Sequence, residues 1–374
     1  MKITLFSAQY LRPLINYLEN NNHNVLLNHF STDVDVVICE SVSHMYKVLK
    51  VWKLIKKNNI KVVNIILDIP PHHLTNQYKY NKPWWYGKQL LYHLIYYHIH
   101  NNNQIKKIFD IFKKFIYKKR EANNQKKGIG KNNKSNSLSL YSKINLNPYN
   151  KITYYKNYRN FLKKSDLNLS ISKFTQICLK TYLNIDSKVW HLCVDSDLLS
   201  SIPKDLKIKY DAINVSRITP HKHQKIFVEA AKKLGLKIVV IGRHHDKNLK
   251  LNCDHYPLSH KEALKAIAQS RIYVDPSSFE GFGLTPVEAL YLDKPVIASD
   301  TYVHREILRD YPLYFKTGDV NDLVNKMKLV RDGDFSKPKN TVDYIKNEYS
   351  IENTGVNFLN YLESCFENNK RKNK

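Results

Sequence analysis

Short apolar runs alternate with helix-like segments over the first 70 residues of the chain. The pattern predicts strands at residues 2–7, 25–30, 34–39 and 62–67, and helices at residues 11–20 and 45–56. Short runs rich in β-branched residues are typical of strands buried on both faces, as in a parallel sheet. We therefore predict an open α/β layer in which helices connect parallel strands.

The same alternation resumes after residue 165 and continues as far as residue 299. It predicts strands at 166–172, 188–194, 211–215, 237–241, 272–275 and 295–299, and helices at 173–183, 223–234, 261–269 and 285–292. A polar stretch near residue 200 divides the two series. We expect domains at 1–195 and 196–345 that face each other across a cleft, followed by a helix and basic tail at 346–374. Ligands of such folds bind outside the carboxyl ends of the strands.

Residues 98–149 interrupt the first domain with an insertion rich in Asn, Lys and Ser. Its segment 106–134 has eleven basic residues against two acidic ones. Apolar residues recur at helical spacing from just before this segment, namely Ile105, Ile108, Phe109, Phe112, Phe115 and Ile116. A basic amphipathic helix of this kind suits an anionic membrane surface. A helix that packs on the core with a solvated lysine face, followed by a loop, fits the pattern equally well.

The excess of basic over acidic residues indicates which kinds of partner the protein binds. The chain of 374 residues has 60 Lys and Arg against 33 Asp and Glu, a formal net charge of +27. Such an excess predicts anionic partners, whether nucleic acid, acidic lipid or phosphorylated substrates. The apolar content of 43% excludes disorder of the whole chain. No glycine precedes Gly87, which excludes an N-terminal dinucleotide-binding G-x-G-x-x-G loop.

Cysteine usage and hydropathy indicate a cytoplasmic protein. The five cysteines form no C-x-x-C pair and no metal-binding spacing, which fits a reducing compartment. The N-terminus reads as a strand and not as a signal peptide. The most apolar stretch, residues 84–99, is interrupted by Lys88, His93 and His98, so no membrane-spanning helix is expected there. Peripheral binding to the inner face of a membrane stays open because of the basic segment.

The segment from Asp275 to Leu290 contains the most informative chemistry. A strand is predicted to end at Asp275, and a loop containing Gly281 and Gly283 follows it. Glycine permits positive φ and close backbone approach. Thr285 is predicted to be the N-cap of the next helix, with Pro286 in its first turn. The free N–H groups at this helix start are suited to an anion.

Two carboxylates flank these glycines. Glu280 lies in the loop and Glu288 one turn into the helix, so the two side chains need not share a face. Glu280 can meet a ligand at the loop, while Glu288 can reach around the helix start. In the alternative interpretation the glycines serve packing only, and both glutamates are solvated charges.

This segment resembles the E-x7-E signature of retaining GT-B glycosyltransferases of family four, the glycosyl transferases group 1. Weaker resemblances to the family occur in the expected order in segments 166–175, 215–222, 238–243, 302–307 (with Glu306) and 313–319. The clear coverage is about residues 166–320. The resemblance implies an α/β protein of GT-B architecture, with two Rossmann-like domains facing across a cleft.

The resemblance also implies a function. The protein would be a retaining, metal-independent glycosyltransferase without a cofactor, moving a sugar from a UDP- or GDP-linked donor to a hydroxyl of a glycan, lipid-linked or protein-linked acceptor. Domain 196–345 would bind the donor and domain 1–195 the acceptor.

The same resemblance assigns roles to single residues. Arg217 and Lys222 would hold the diphosphate, because charge that develops on a leaving group needs fixed cations. Glu280 would be catalytic, at the donor sugar, and Glu288 would bind the ribose hydroxyls. Further donor contacts are expected at the loop and helix start, from Gly281, Phe282, Gly283, Leu284 and Thr285.

The sequence departs from the family pattern at several places. Leu67 stands where a functional histidine is frequent, which leaves Asp68 as the second predicted catalytic residue and His72 or His73 as substitutes. The first loop, residues 7–12, has no glycine, and His223 replaces the glycine that usually follows the lysine.

Three other functions stay open at this point. One is a glycosyltransferase of the same architecture that modifies nucleic acid, in which the positive charge would bind the backbone phosphates. Another is a non-catalytic nucleic-acid-binding protein, but the chain has no recognisable motif for it. The third is a different sugar-nucleotide enzyme of the same fold, such as an epimerase. Nucleic acid is therefore the less favoured partner.

Overall fold

The computed structural model describes residues 1–7, 11–67, 157–246 and 249–370. Several predictions fall outside this part of the chain. They concern Asp68, His72, His73, the apolar stretch at 84–99 and the insertion at 98–149.

The first half of the described chain forms a six-stranded parallel sheet. Its order is β2-β1-β3-β4-β5-β6. The strands are β1 (Lys2–Phe6), β2 (Asn24–Leu27), β3 (Val36–Glu40), β4 (Lys61–Ile66), β5 (Leu167–Ser170) and β6 (Lys188–Val189). Its helices are α1 (Arg12–Asn20), α2 (Ser41–Lys57) and α3 (Lys173–Leu183), and residues 157–164 are also helical.

The second half forms another six-stranded parallel sheet, with the order β12-β11-β10-β7-β8-β9. Its strands are β7 (Tyr210–Val215), β8 (Ile238–Ile241), β9 (His255–Tyr256), β10 (Ser270–Asp275), β11 (Val296–Ser299) and β12 (Leu313–Phe315). The helices are α4 (Ser196–Ser200), α5 (Gln224–Lys233), α6 (His260–Ala268), α7 (Leu284–Tyr291), α8 (Tyr302–Leu308), α9 (Val320–Arg331), α10 (Thr341–Tyr349) and α11 (Ile351–Lys370).

Burial explains why the apolar runs form central strands. Every residue of β3 and β4 is buried, and so is every residue of β5 and β11. Strands covered by helices on both faces need apolar side chains at successive positions, as a parallel sheet requires. The predicted α/β class with two Rossmann-like sheets is confirmed.

The predicted strand 188–194 is too long. The strand ends at Val189, although the Trp190 N–H still donates to the Ser170 carbonyl of β5 at 2.8 Å, and the Trp190 side chain packs on the C-terminal helix. The Trp190 indole N–H donates to the carbonyl of Thr354 at 2.9 Å, and its ring packs against Phe358 with centroids 5.1 Å apart. A tertiary contact therefore overrides the local strand preference.

The C-terminal helix α11 joins distant parts of the chain. It packs against α1 of the first half and against α10, the helix that precedes it. Gly355 lies at the α1 contact, where an added Cβ would come within 2.6 Å of the Tyr17 ring. The domain boundaries at residues 195 and 345 stay predictions. None of the helices in the described part of the chain is long and apolar enough to cross a membrane.

Replacement of Trp190 by alanine tests this junction. Trp190 is 2% exposed, so Trp190→Ala leaves a cavity and removes the hydrogen bond from the indole N–H to the Thr354 carbonyl. We expect the free energy of unfolding to fall by about 3–5 kcal/mol, measured by urea denaturation. Val356→Ala, at a half-exposed position on α11, is the control and should change it by less than about 0.5 kcal/mol. A loss for Trp190→Ala as small as the control's would contradict the proposed junction.

Candidate active site

The strand order of the second sheet reverses between β7 and β10. From β7 the chain adds β8 and β9 on one side, and it then returns to add β10, β11 and β12 on the other. The loops after two such neighbouring strands leave in opposite directions and open a crevice at the carboxyl ends. The predicted donor residues follow these two strands.

The loop after β7 is fixed by a buried glutamine. Gln224 Nε2 donates to Ser216 Oγ and to the carbonyl of Arg217, both at 2.8 Å. A single 3₁₀ turn, Pro220–Lys222, follows, and His223 takes a left-handed conformation with φ 49°. This tight path brings Lys222 back over the end of the sheet.

Hydrogen bonds hold the loop after β10 in place and join it to the loop after β7. Asp275 accepts from the backbone N–H of Ser277 at 3.0 Å and from its hydroxyl at 2.5 Å. Ser278 donates its N–H and its hydroxyl to the carbonyl of His221, at 2.8 and 3.0 Å. The two loops are therefore joined directly, and Glu280 is positioned opposite Lys222.

Lys222 and Glu280 form a buried ion pair. Their side chains are only 12% and 11% exposed, and the Lys222 ammonium donates to a Glu280 carboxylate oxygen. Burial opposes the charged form of a carboxylate, but Lys222, with smaller help from His304 and Ser277, lowers the pKa of Glu280 well below its usual value. Glu280 is thus a carboxylate at neutral pH, and its charge is balanced by Lys222.

Gly281 lies where this loop touches the first sheet. A Cβ added to Gly281 would be 2.5 Å from the carbonyl oxygen of Leu67 and 3.2 Å from Ile171 Cδ1. Only glycine permits so close an approach between the loop and the carboxyl end of β4. Leu67 is the residue that precedes Asp68, the predicted catalytic residue outside the described part.

The prediction of Thr285 as the N-cap is wrong. Helix α7 begins at Leu284, and its N-cap is Gly283, in the left-handed region with φ 86°. Thr285 is the second helical residue, because the left-handed glycine already turns the chain into the helix. Pro286 lies in the first turn, as predicted.

Glu288 has a different partner from Glu280. It is 6% exposed, and its Oε1 is 2.7 Å from His260 Nε2 at the start of α6. The hydrogen bond to Glu288 raises the pKa of His260 above its usual value, although burial opposes the effect. The two carboxylates of the E-x7-E segment therefore occupy separate parts of the crevice.

The other predicted donor residues are divided between core and surface. Phe282 is 3% exposed and packs edge-on against Tyr349, with centroids 5.4 Å apart, so its side chain belongs to the core. Leu284 is partly buried, and Thr285 lies beside the buried Tyr273 hydroxyl. Arg217 is exposed at the end of β7.

His304 is a member of the site that the sequence does not predict. It is fully buried, and its Nδ1–H donates to the carbonyl of Ser299 at 2.8 Å. Its Nε2 lies 3.9 Å from Asp275 Oδ2. His304, Asp275 and Glu280 place three potential metal ligands within 4.8 Å of one another. A metal ion would have to compete with the Lys222 ammonium that already binds Glu280.

Glu306, from the predicted family segment 302–307, has a clear contact. Its carboxylate accepts from the backbone N–H groups of Lys173 and Phe174, at 2.7 and 3.3 Å, at the start of α3. A carboxylate at a helix N-terminus satisfies free donors and complements the helix dipole. This contact links α8 of the second half to α3 of the first half.

The first sheet reverses its strand order between β1 and β3. There the Ser7 hydroxyl donates to the buried carboxylate of Glu40 at 2.5 Å. The reversal therefore places an acidic group at the carboxyl edge of the predicted acceptor domain. The sequence does not single out Glu40, because it appears as the polar end of a strand.

Part of the chain matches a known protein family. Residues 201–348 match the glycosyl transferases group 1 family. No curated protein matches the chain in sequence at a significant level.

Solved structures share the fold over nearly the whole chain. Sucrose-phosphate synthase from Thermosynechococcus elongatus is 13% identical with a TM-score of 0.64, covering 98% of this chain and 99% of that one. HepE of Anabaena, in complex with UDP and glucose, is 12% identical with a TM-score of 0.61, covering 97% and 100%. The lipopolysaccharide outer core galactosyltransferase WaaB, in its apo form, is 14% identical with a TM-score of 0.53, covering 97% and 99%.

The likeness to solved structures and the family match show two things. The chain has the GT-B fold, and its residues 201–348 match the glycosyl transferases group 1 family.

Gly281→Ala tests the contact between the loop and the first sheet. The added methyl group must displace the Leu67 carbonyl or the loop, so we expect a loss of about 1–3 kcal/mol in the free energy of unfolding. Gly333→Ala is the control for backbone strain without a steric contact. A Cβ at this position meets no atom within 4 Å, but the φ of 85° is strained for alanine. That change should cost about 1 kcal/mol in the free energy of unfolding. A loss for Gly281→Ala no larger than the loss for Gly333→Ala would argue against the contact.

The pair of His260 and Glu288 predicts a pH-dependent contribution to stability. The pKa of His260 is raised on folding, so its stabilisation is fully present below about pH 6.5 and is lost as the pH rises through the folded value. His260 is half-exposed, which keeps the effect below about 1 kcal/mol. Urea denaturation of the wild type and His260→Gln at about pH 5.5 and about pH 8.5 measures it. The free energy of unfolding of the wild type should exceed that of His260→Gln by more at the lower pH than at the higher pH. A larger difference at the higher pH would contradict the pairing.

Proposed function

We propose that the protein transfers a sugar from a nucleotide-diphosphate sugar to an acceptor hydroxyl, with retention of configuration and without a metal ion. The observation that supports this most directly is the buried ion pair of Lys222 and Glu280, which joins the loops after β7 and β10 at the strand-order reversal of the second sheet. Crevices at this position of an α/β sheet bind nucleotides in many folds.

Departure of the diphosphate is the step that needs positive charge. Glycosyl transfer passes through an oxocarbenium-like state while negative charge grows on the leaving group. In the proposed reaction Lys222 and Arg217 stabilise that charge, together with backbone N–H groups at the start of α7. A fixed ammonium supplies here what a divalent cation supplies in metal-dependent enzymes.

The ion pair of Lys222 and Glu280 is the arrangement that a bound donor would change. Without donor, each charge is balanced by the other inside the protein. A bound diphosphate would share the Lys222 ammonium, which turns the Glu280 carboxylate toward the sugar hydroxyls. In the proposed reaction Glu280 therefore orients the sugar and supports positive charge on its ring.

Glu288 has the chemistry to bind ribose. A carboxylate accepts two hydroxyl donors, and a buried one does so strongly. Its present partner, His260, is half-exposed and can be displaced by a nucleoside. HepE, which has the same fold, was solved with UDP-glucose, so a UDP-sugar is the first donor to test.

The acceptor is proposed to bind at the first sheet. Gly281 contacts the carbonyl of Leu67, so the donor loop meets the carboxyl end of β4. Asp68, the next residue along the chain, keeps its predicted catalytic role as part of this proposal. A glycan or a lipid-linked hydroxyl is the expected acceptor, and association with an anionic membrane would rest on the basic segment at 106–134. Retention is proposed to follow from attack on the face that the diphosphate leaves.

A donor panel tests the proposed function. The wild type is incubated with UDP-glucose, other UDP-sugars and GDP-sugars, and nucleotide release and the thermal midpoint are measured. Donor at one hundred times its Kd should stabilise the fold by about 2.7 kcal/mol. Lys222→Ala should lower nucleotide release by about 100-fold or more, the effect of losing one charge-stabilising group. Glu288→Ala should chiefly weaken donor binding.

Two further variants separate function from folding. Lys222→Ala leaves Glu280 buried without its cation, so the double variant Lys222→Ala, Glu280→Gln removes both charges and should regain stability without activity. Lys225→Ala removes an exposed charge three residues along the chain and should keep full activity. A wild type that no nucleotide sugar stabilises, and that releases no nucleotide, overturns the proposed donor site.

A further inference from the structure

Most described arginines of the second half are held by carboxylates. Arg271 pairs with Asp211, Arg305 with Asp300, Arg309 with Glu348 and Arg331 with Asp332. Arg217 and Arg243 differ, since both are exposed and neither has a carboxylate partner among the described residues. Each follows the carboxyl end of a strand, β7 for Arg217 and β8 for Arg243. The two unbalanced guanidinium groups therefore lie on neighbouring strand ends of one sheet.

The backbone holds these two strand ends in close contact. The N–H of Ile218 donates to the carbonyl of Arg243 at 2.9 Å, and the N–H of His245 donates to the carbonyl of Ile218 at 3.1 Å. Gly242 makes this possible, because a Cβ there would be 1.8 Å from the carbonyl oxygen of Ser216. The loop after β8 is thus fixed against the loop that contains Arg217.

The pKa values of two nearby histidines indicate that Arg217 and Arg243 act on the same region. The pKa of His245 is lowered, first by burial and then by the charges of Arg217 and Arg243. The pKa of His221 falls to about 4, mainly by burial and then through Lys222, with a smaller contribution from Arg217. These imidazoles are therefore neutral at pH 7, and the positive charge of the region belongs to Arg217, Arg243 and Lys222.

A charge balance indicates the ligand. Lys222 is already neutralised by Glu280. Each phosphate of a nucleotide-diphosphate sugar carries one negative charge, and two unbalanced arginines match two such charges. A guanidinium also presents parallel N–H donors that fit phosphate oxygens in pairs.

We propose that Arg243 is a phosphate-binding residue of this enzyme and that it contacts the donor diphosphate together with Arg217. The proposal rests on the proposed donor site and adds to it a residue of the loop after β8. It gives Arg243, the residue after Gly242, a function beyond the packing of the two loops.

Titration calorimetry with UDP, GDP and inorganic pyrophosphate tests this role. For the probes that the wild type binds, Arg243→Gln should raise the Kd about tenfold or more, since a hydrogen bond to a charged group contributes about 1.5–3 kcal/mol. Arg217→Gln should have a similar effect, and Arg243→Lys a smaller one. Arg331→Gln removes an exposed guanidinium from α9 and should leave the Kd unchanged. Thermal midpoints close to that of the wild type show that each variant is folded.

The outcomes separate this proposal from the proposed function. If the wild type binds UDP or GDP and Arg243→Gln binds it equally well, the role of Arg243 is wrong and the donor site stands. If the wild type binds none of the three probes, the donor site and the role of Arg243 both fail. Weaker binding by Arg243→Gln with an unchanged Arg331→Gln supports the proposal.

Discussion

The buried ion pair between Lys222 and Glu280 is the interaction on which the site depends. Neither charge is stable alone at about one-tenth exposure, because desolvation of an unpaired charge costs several kcal/mol. The pair therefore requires the loops after β7 and β10 to close on each other, and Ser278 joins the same two loops through the carbonyl of His221. In the proposed function the donor diphosphate shares the same Lys222 ammonium.

Close backbone approach is the second constraint, and it explains where the scarce glycines lie. Gly242 brings the loop after β8 against the loop after β7, and Gly281 brings the loop after β10 against the carboxyl end of β4. Gly283 supplies the left-handed residue that begins α7. These three of the ten glycines in the chain serve the crevice and its connection to the first sheet.

Much of the fold could be predicted from the sequence. The helix predicted at 173–183 has the observed bounds, and the apolar runs of β3, β4, β7 and β8 lie within about two residues of their predicted ends. The strand predicted at 188–194 failed because the Trp190 contact with α11 connects residues 164 positions apart. Thr285 was predicted as a cap from its residue type, whereas the cap is set by the φ of Gly283. The role of Asp68 stays a prediction.

The sequence by itself determined the α/β class and the order of strands and helices. It also determined a loop with Glu280 and two glycines that leads into a helix containing Glu288. Local periodicity and residue type decide those features, because they depend on burial and backbone conformation over a few residues. Only the tertiary structure decided which charges meet. It paired Lys222 with Glu280 across 58 residues and Glu288 with His260, and it brought His304 beside Asp275. It also left Arg217 and Arg243 without carboxylate partners in the described part of the chain. Such pairings depend on the strand order of the sheet, which places loops distant in sequence at one crevice.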